Sequence, residues 1–190
     1  AVMVFLTGIS LQSIGSISIV YMTDLGLPAT FIATTATVSS LSLTFTKILV
    51  GITYDKKGLR FTLLMCQIAA ITAFLLKAVL TNSTAGMIMA MIASVLGVVA
   101  TPLETVMIPI LSNDLFGSLS YNKVLGVFMA MNSLGLCLGS PLGDLYFDIF
   151  GTYKPCFWFF AVLLVLVALG YVLVIRAANK DRSIASNISS

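Results

Sequence analysis

The sequence contains no histidine, and its three cysteines, Cys66, Cys137 and Cys156, stand singly in apolar runs. Metal sites built from clustered Cys and His therefore have no ligand set, and the cysteines read as packing residues. Charge is scarce too: Asp, Glu, Lys and Arg make up 9% of the chain, and the formal net charge is only +3. That composition excludes an ordinary soluble domain and argues against nucleic acid as a partner. Also missing is a nucleophile with a base at motif spacing, so an enzyme is not expected and no cofactor is implied. The chain opens at Ala1 inside an apolar run, with no charged leader or cleavage signal, and reads as a piece of a longer protein.

Apolarity is what the sequence has in abundance, at 59% hydrophobic residues and a mean hydropathy of +1.09. A bilayer crossing takes about 20 apolar residues. Runs of that kind fall at 2–23, 29–53, 60–80, 86–111, 123–147 and 156–176. The predicted fold is all-α, a polytopic membrane bundle of six spans over 1–176, followed by a cytoplasmic tail at 177–190 that is rich in Ser, Asn, Lys and Arg and expected to be disordered.

Lys56, Lys57, Arg60, Lys123, Arg176, Lys180 and Arg182 all fall on one side, seven of the ten bases in the chain. Lys77 and Lys154 fall on the other side, and Lys47 lies within a span. The basic side marks the cytoplasm, so both termini are expected there. A multi-pass protein of the cell membrane follows, and the short loops fit a bacterial inner membrane.

Within the first span, Gly8, Gln12, Gly15 and Ser16 share one face, spaced for close packing or a polar wall. The second span is rich in hydroxyls, and Ser40, Thr44 and Lys47 share a face by helical spacing. Most of those hydroxyls have a simpler role available, bonding back to their own helix. The third span is nearly featureless, with Lys77 close enough to its outer end to snorkel. Pro102 and Pro109 break up the fourth, with Glu104 between them. In the fifth, Gly135, Gly139 and Gly143 form a small-residue ridge near Asn132. The sixth is bulky and apolar and is expected to face lipid.

A charge inside the membrane costs roughly 2.5–3.5 kcal/mol on insertion scales, which makes Lys47 and Glu104 functional candidates. They could pair with each other if the second and fourth spans are neighbours. Otherwise Lys47 snorkels and Glu104 caps a proline-broken helix. Between the second and third spans lie Gly51, Asp55, Lys56, Lys57, Gly58 and Arg60. Gly58 suits a turn with positive φ, Gly51 a close backbone approach, and Asp55 an acceptor role.

The run from Gly51 to Leu63 resembles the G-x-x-x-D-(R/K)-x-G-(R/K)-(R/K)-x-x-L signature of major facilitator superfamily transporters, departing from it only at Leu59. The segment Ser112–Gly126 and the turn carrying Pro141, Leu142, Asp148, Gly151, Tyr153 and Lys154 look like the corresponding parts of monocarboxylate transporters. The first of these is also similar to oxalate/formate antiporters. The resemblance implies the C-terminal six-helix half of a twelve-helix transporter, partnered by an N-terminal half, with the third and sixth spans outermost. It implies secondary active transport of a small organic anion, a carboxylate, by alternating access, as proton symport or anion exchange.

Under that resemblance Lys47 stands where both groups carry an arginine that engages substrate carboxylate. Lysine there is a point charge without the bidentate fork. Thr44, Ser40, Gln12 and Asn132 join it as substrate-binding candidates, Glu104 as the coupling residue, and Gly51, Asp55, Lys56, Gly58 and Arg60 as gating residues. The competing reading is a six-helix membrane module, structural or sensory, that has no transport activity of its own.

Overall fold

The computed structural model describes the backbone of residues 1–188 and the side chains through Ala177; side chains of the expected tail from 178 onward lie outside the described residues. Its elements are α1 (Val2–Asp24), α2 (Ala29–Ala78), α3 (Thr84–Ala100), α4 (Pro102–Thr105), α5 (Met107–Phe150) and α6 (Lys154–Ile188). Among the described residues, five helical segments are long and apolar enough to cross a membrane.

Two of these helices are too long for a single crossing. Straight, the 50 residues of α2 would extend about 75 Å at 1.5 Å per residue, more than twice a hydrocarbon core of about 30 Å. The chain turns at Gly58, whose φ of 75° and ψ of 176° lie in a region essentially reserved for glycine. This positive φ agrees with the sequence expectation, and it divides α2 into stretches 29–57 and 59–78. An equivalent turn interrupts α5 at Gly117, with φ 72° and ψ 174°.

Proline accounts for the remaining break. Pro102 has no N–H to continue the α3 ladder, so the chain tightens. Thr101 N donates to Val98 O and Glu104 N to Thr101 O, both at 3.1 Å. The expected disruption of the fourth span is therefore present, and it leaves Glu104 on the one-turn helix α4.

Packing pairs α1 with α5, and α2 with α3 and α6. The α1–α5 contact rests on the glycine ridge. Ser13 Oγ donates to Gly139 O at 2.7 Å, and a Cβ at Gly139 would sit 2.6 Å from Ile9 O. Gly8 of α1 is equally confined, since a Cβ there would meet Asn132 O at 2.8 Å. At the other contact, Phe74 of α2 and Phe157 and Phe160 of α6 are fully buried, and Tyr21 meets Phe157 edge-on at 5.0 Å.

One expectation needs correction, that of a featureless third span, and the outward face of the sixth is limited to one side. In α6 only one flank faces outward, through Trp158, Val162, Leu166 and Leu169, while Phe157, Phe160, Leu164 and Val167 are buried against α1 and α2. Stretch 59–78 is not featureless, although Phe61, Ile68 and Leu75 leave one of its faces exposed. It buries Cys66, Ala70, Ala73 and Phe74, together with Gln67 at 0% exposure and Lys77 at 4%.

Candidate functional site

Between α1, α2, α3 and α4 lies a cavity of about 300 Å³. Gln12, Gly15 and Ser18 of α1 line one wall, and Thr35 and Ser39 of α2 another. Lys77 and Glu104 are its charged lining groups. Lys77 Nζ donates to Ser18 Oγ, and Ser18 Oγ donates in turn to Ile14 O. This corrects the snorkelling expectation: the side chain turns into the bundle, because the small residues Ala70 and Ala73 on the same face draw its helix against its neighbours. Glu104 Oε1 and Ser39 Oγ are buried without a hydrogen-bond partner.

The structure does not bring Lys47 to Glu104. Lys47 lies outside the cavity, exposed on α2, and so do Thr44 and Ser40. The exposed surface of α2 nevertheless divides by helical angle at 100° per residue. Ser40, Thr44 and Lys47 form one flank. Leu41, Phe45, Leu49 and Ile52 form the other, exposed by 62%, 73%, 54% and 46%. One flank is polar at membrane depth and the other is apolar. As the simpler reading of the hydroxyls anticipated, Thr34, Thr35, Thr37 and Ser40 donate to the carbonyl four residues earlier, at 2.8–3.0 Å. These side chains are thus satisfied without a ligand, whereas the Lys47 ammonium is not satisfied in that way.

Of the remaining candidates, Gln12 reaches the cavity, while Asn132 is buried between α1 and α5 against Gly8, at 5% exposure. Asp55, Lys56, Lys57 and Arg60 are exposed around the Gly58 turn, with Lys57 Nζ 4.2 Å from the centre of the Phe61 ring. Among the described residues no atom comes within 4 Å of where a Cβ at Gly51 would stand, so the close approach expected there is not made by them.

Sequence reasoning missed a contact between the two glycine turns. Tyr54 OH donates to Asp114 Oδ2 at 2.9 Å and Oδ1 at 3.1 Å, tying the end of stretch 29–57 to the start of α5. Asp55 and Asp114 each stand three residues before their turn glycine, a D-x-x-G repeat that the sequence itself displays. The Lys77 corner also left a signal. Cys66, Ala70, Ala73 and Lys77 recur at helical spacing, so the lysine continues a packed face. At the opposite end of the bundle, burial and then the carboxylates of Asp144, Asp24 and Asp148 push the Tyr153 phenol above its usual range.

Long apolar helices, glycine reversals at their ends and charged side chains within them define a multi-pass integral membrane protein. The family model described as Major Facilitator Superfamily matches residues 1–187, and the chain belongs to that superfamily. Membrane transport is the activity this membership implies. No curated protein and no solved structure matches the chain.

Proposed function

We propose that the chain is one six-helix half of a twelve-helix secondary transporter that moves a small organic anion, a carboxylate, by alternating access. Six crossings follow if the Gly58 turn separates two of them and if α3, α4 and the first stretch of α5 together form one. The basic end carrying Lys56, Lys57, Arg60 and Lys123 is then cytoplasmic, in a cell membrane of bacterial inner-membrane type. A second half packs on the polar flank of α2, since one half cannot enclose a two-sided path.

The observation that carries the reading is Lys47, the one basic side chain exposed within the span, beside Ser40 and Thr44 and apart from the apolar flank of Leu41, Phe45, Leu49 and Ile52. An ammonium facing lipid at that depth costs about 2.5–3.5 kcal/mol, whereas one facing a wet path is stable and attracts an anion. Gln12 and Glu104 lie on the adjacent cavity wall, which supports a coupling role for Glu104. Asn132, sealed between α1 and α5, holds that wall in place without touching substrate. Asp55, Lys56, Gly58 and Arg60 form the turn that moves with the gate.

Uptake of labelled mono- and dicarboxylates into proteoliposomes tests the reading, comparing wild type with Lys47→Gln and Lys47→Arg. Saturable uptake lost in Lys47→Gln and retained in Lys47→Arg is the expected result. Uptake unchanged in Lys47→Gln refutes the role of Lys47, and wild-type uptake independent of pH removes proton coupling through Glu104.

A further inference from the structure

The cavity between α1, α2, α3 and α4 contains two groups of opposite sign that are not satisfied by the protein around them. Lys77 has three N–H donors, and Ser18 Oγ accepts one of them. The lysine is 4% exposed, so lipid headgroups do not reach it and the cavity is its one opening. Across the same cavity, Glu104 Oε1 has no hydrogen-bond partner, and Ser39 Oγ lacks one as well. Glu104 as a residue is half-buried, with only Oε1 sealed from solvent, and an ionisable side chain held inside a membrane bundle marks a candidate binding site.

From this arrangement we infer that the cavity is a binding site for a small zwitterion, its carboxylate on Lys77 Nζ and its ammonium on Glu104. A simple anion would satisfy Lys77 and leave Glu104 uncompensated, and a simple cation would do the reverse. A ligand with one group of each sign neutralises both walls at once and brings no net charge into the bundle. The volume of about 300 Å³ matches the lower end of small-molecule pockets, roughly 300–1,000 Å³. Ser39 lines the same cavity, and its unpartnered hydroxyl can bond to either group of the ligand. Entry is beside Gly15, an exposed residue at which an added Cβ would meet no atom within 4 Å. The site is separate from the α2 flank and does not rest on the role of Lys47 there.

Isothermal titration of the purified protein in detergent tests this inference. The probes are ω-amino acids of increasing length, from glycine to aminohexanoate, each matched with the plain carboxylate of the same chain length. One length, set by the separation of Lys77 and Glu104, is expected to bind at least about tenfold more tightly than its matched carboxylate, as the loss of one partner from a buried charge contact implies. Lys77→Met and Gly15→Phe are expected to abolish that binding, and Glu104→Leu to erase the preference over the carboxylate. Lys47→Gln leaves it unchanged. Gly15→Phe fills open space and keeps the wild-type size-exclusion profile, so the test stands even if Lys77→Met does not fold. Equal affinity within every matched pair overturns the inference. So does binding that survives Gly15→Phe, or binding lost in Lys47→Gln, and the last of these would leave the anion site on α2 standing.

Discussion

Replacing Gly139 with alanine tests the seam on which the bundle is built. The added Cβ would sit 2.6 Å from Ile9 O and 2.7 Å from Gln12 Cβ, well inside the 3.5–4.0 Å of an ordinary carbon contact. The nearer obstacle is backbone, so no side-chain rotation relieves it, and α1 must move away from α5. That movement also lengthens the bond from Ser13 Oγ to Gly139 O, now 2.7 Å. Overpacking of this kind costs about 1–3 kcal/mol. Alanine recovers up to about 1 kcal/mol through its helix propensity. The net loss, up to about 2 kcal/mol, corresponds to a Tm lower by up to roughly 8 °C for a chain of this size. Gly126→Ala is the control, because it lies on the same helix with no atom within 4 Å of the new Cβ. Thermal melts in detergent should show Gly139→Ala destabilised and Gly126→Ala unchanged or slightly raised. If both variants melt alike, or Gly139→Ala melts above wild type, the close α1–α5 seam is wrong.

Further predictions concern the turns and the core. Gly58→Ala and Gly117→Ala each force a side chain into a region essentially reserved for glycine and should cost about 1–3 kcal/mol, read as a lowered Tm. Tyr54→Phe should cost about 0.5–1.5 kcal/mol by removing its bond to Asp114. A double-mutant cycle with Asp114→Ala should return most of that as coupling energy, and additive effects would deny the contact. Phe157→Ala, fully buried against Tyr21 and Phe74, should cost about 3–5 kcal/mol.

Features encoded locally were legible in the sequence, and features created by distant packing were not. The turn at Gly58, the break at Pro102 and the glycine ridge each depend on the conformational limits of one or two residues, and the structure places all three where those limits require. Gly135, Gly139 and Gly143 announced a close helix contact but not that α1 makes it. Lys77 was misread because a lysine near the end of an apolar run normally reaches for water. Its partner Ser18 lies 59 residues away, and only the packing of α2 against α1 and α3 brings them together. The pairing of Lys47 with Glu104 failed for the same reason: similar depth was legible, but the direction each residue takes around its helix within the assembled bundle was not.

Transport through this protein requires the polar flank of α2 to border water, and thiol labelling measures that. In a background carrying Cys137→Ser, the remaining native thiols, Cys66 and Cys156, are buried. Cysteines are then introduced singly by Lys47→Cys and Phe45→Cys and treated with a membrane-impermeant methanethiosulfonate. Fast modification of the Lys47→Cys protein, with the Phe45→Cys protein unreactive, is the predicted result. Equal reactivity at the two positions, or reaction only in the Phe45→Cys protein, would mean that Lys47 does not face a wet path, and the transport reading built on it would fall.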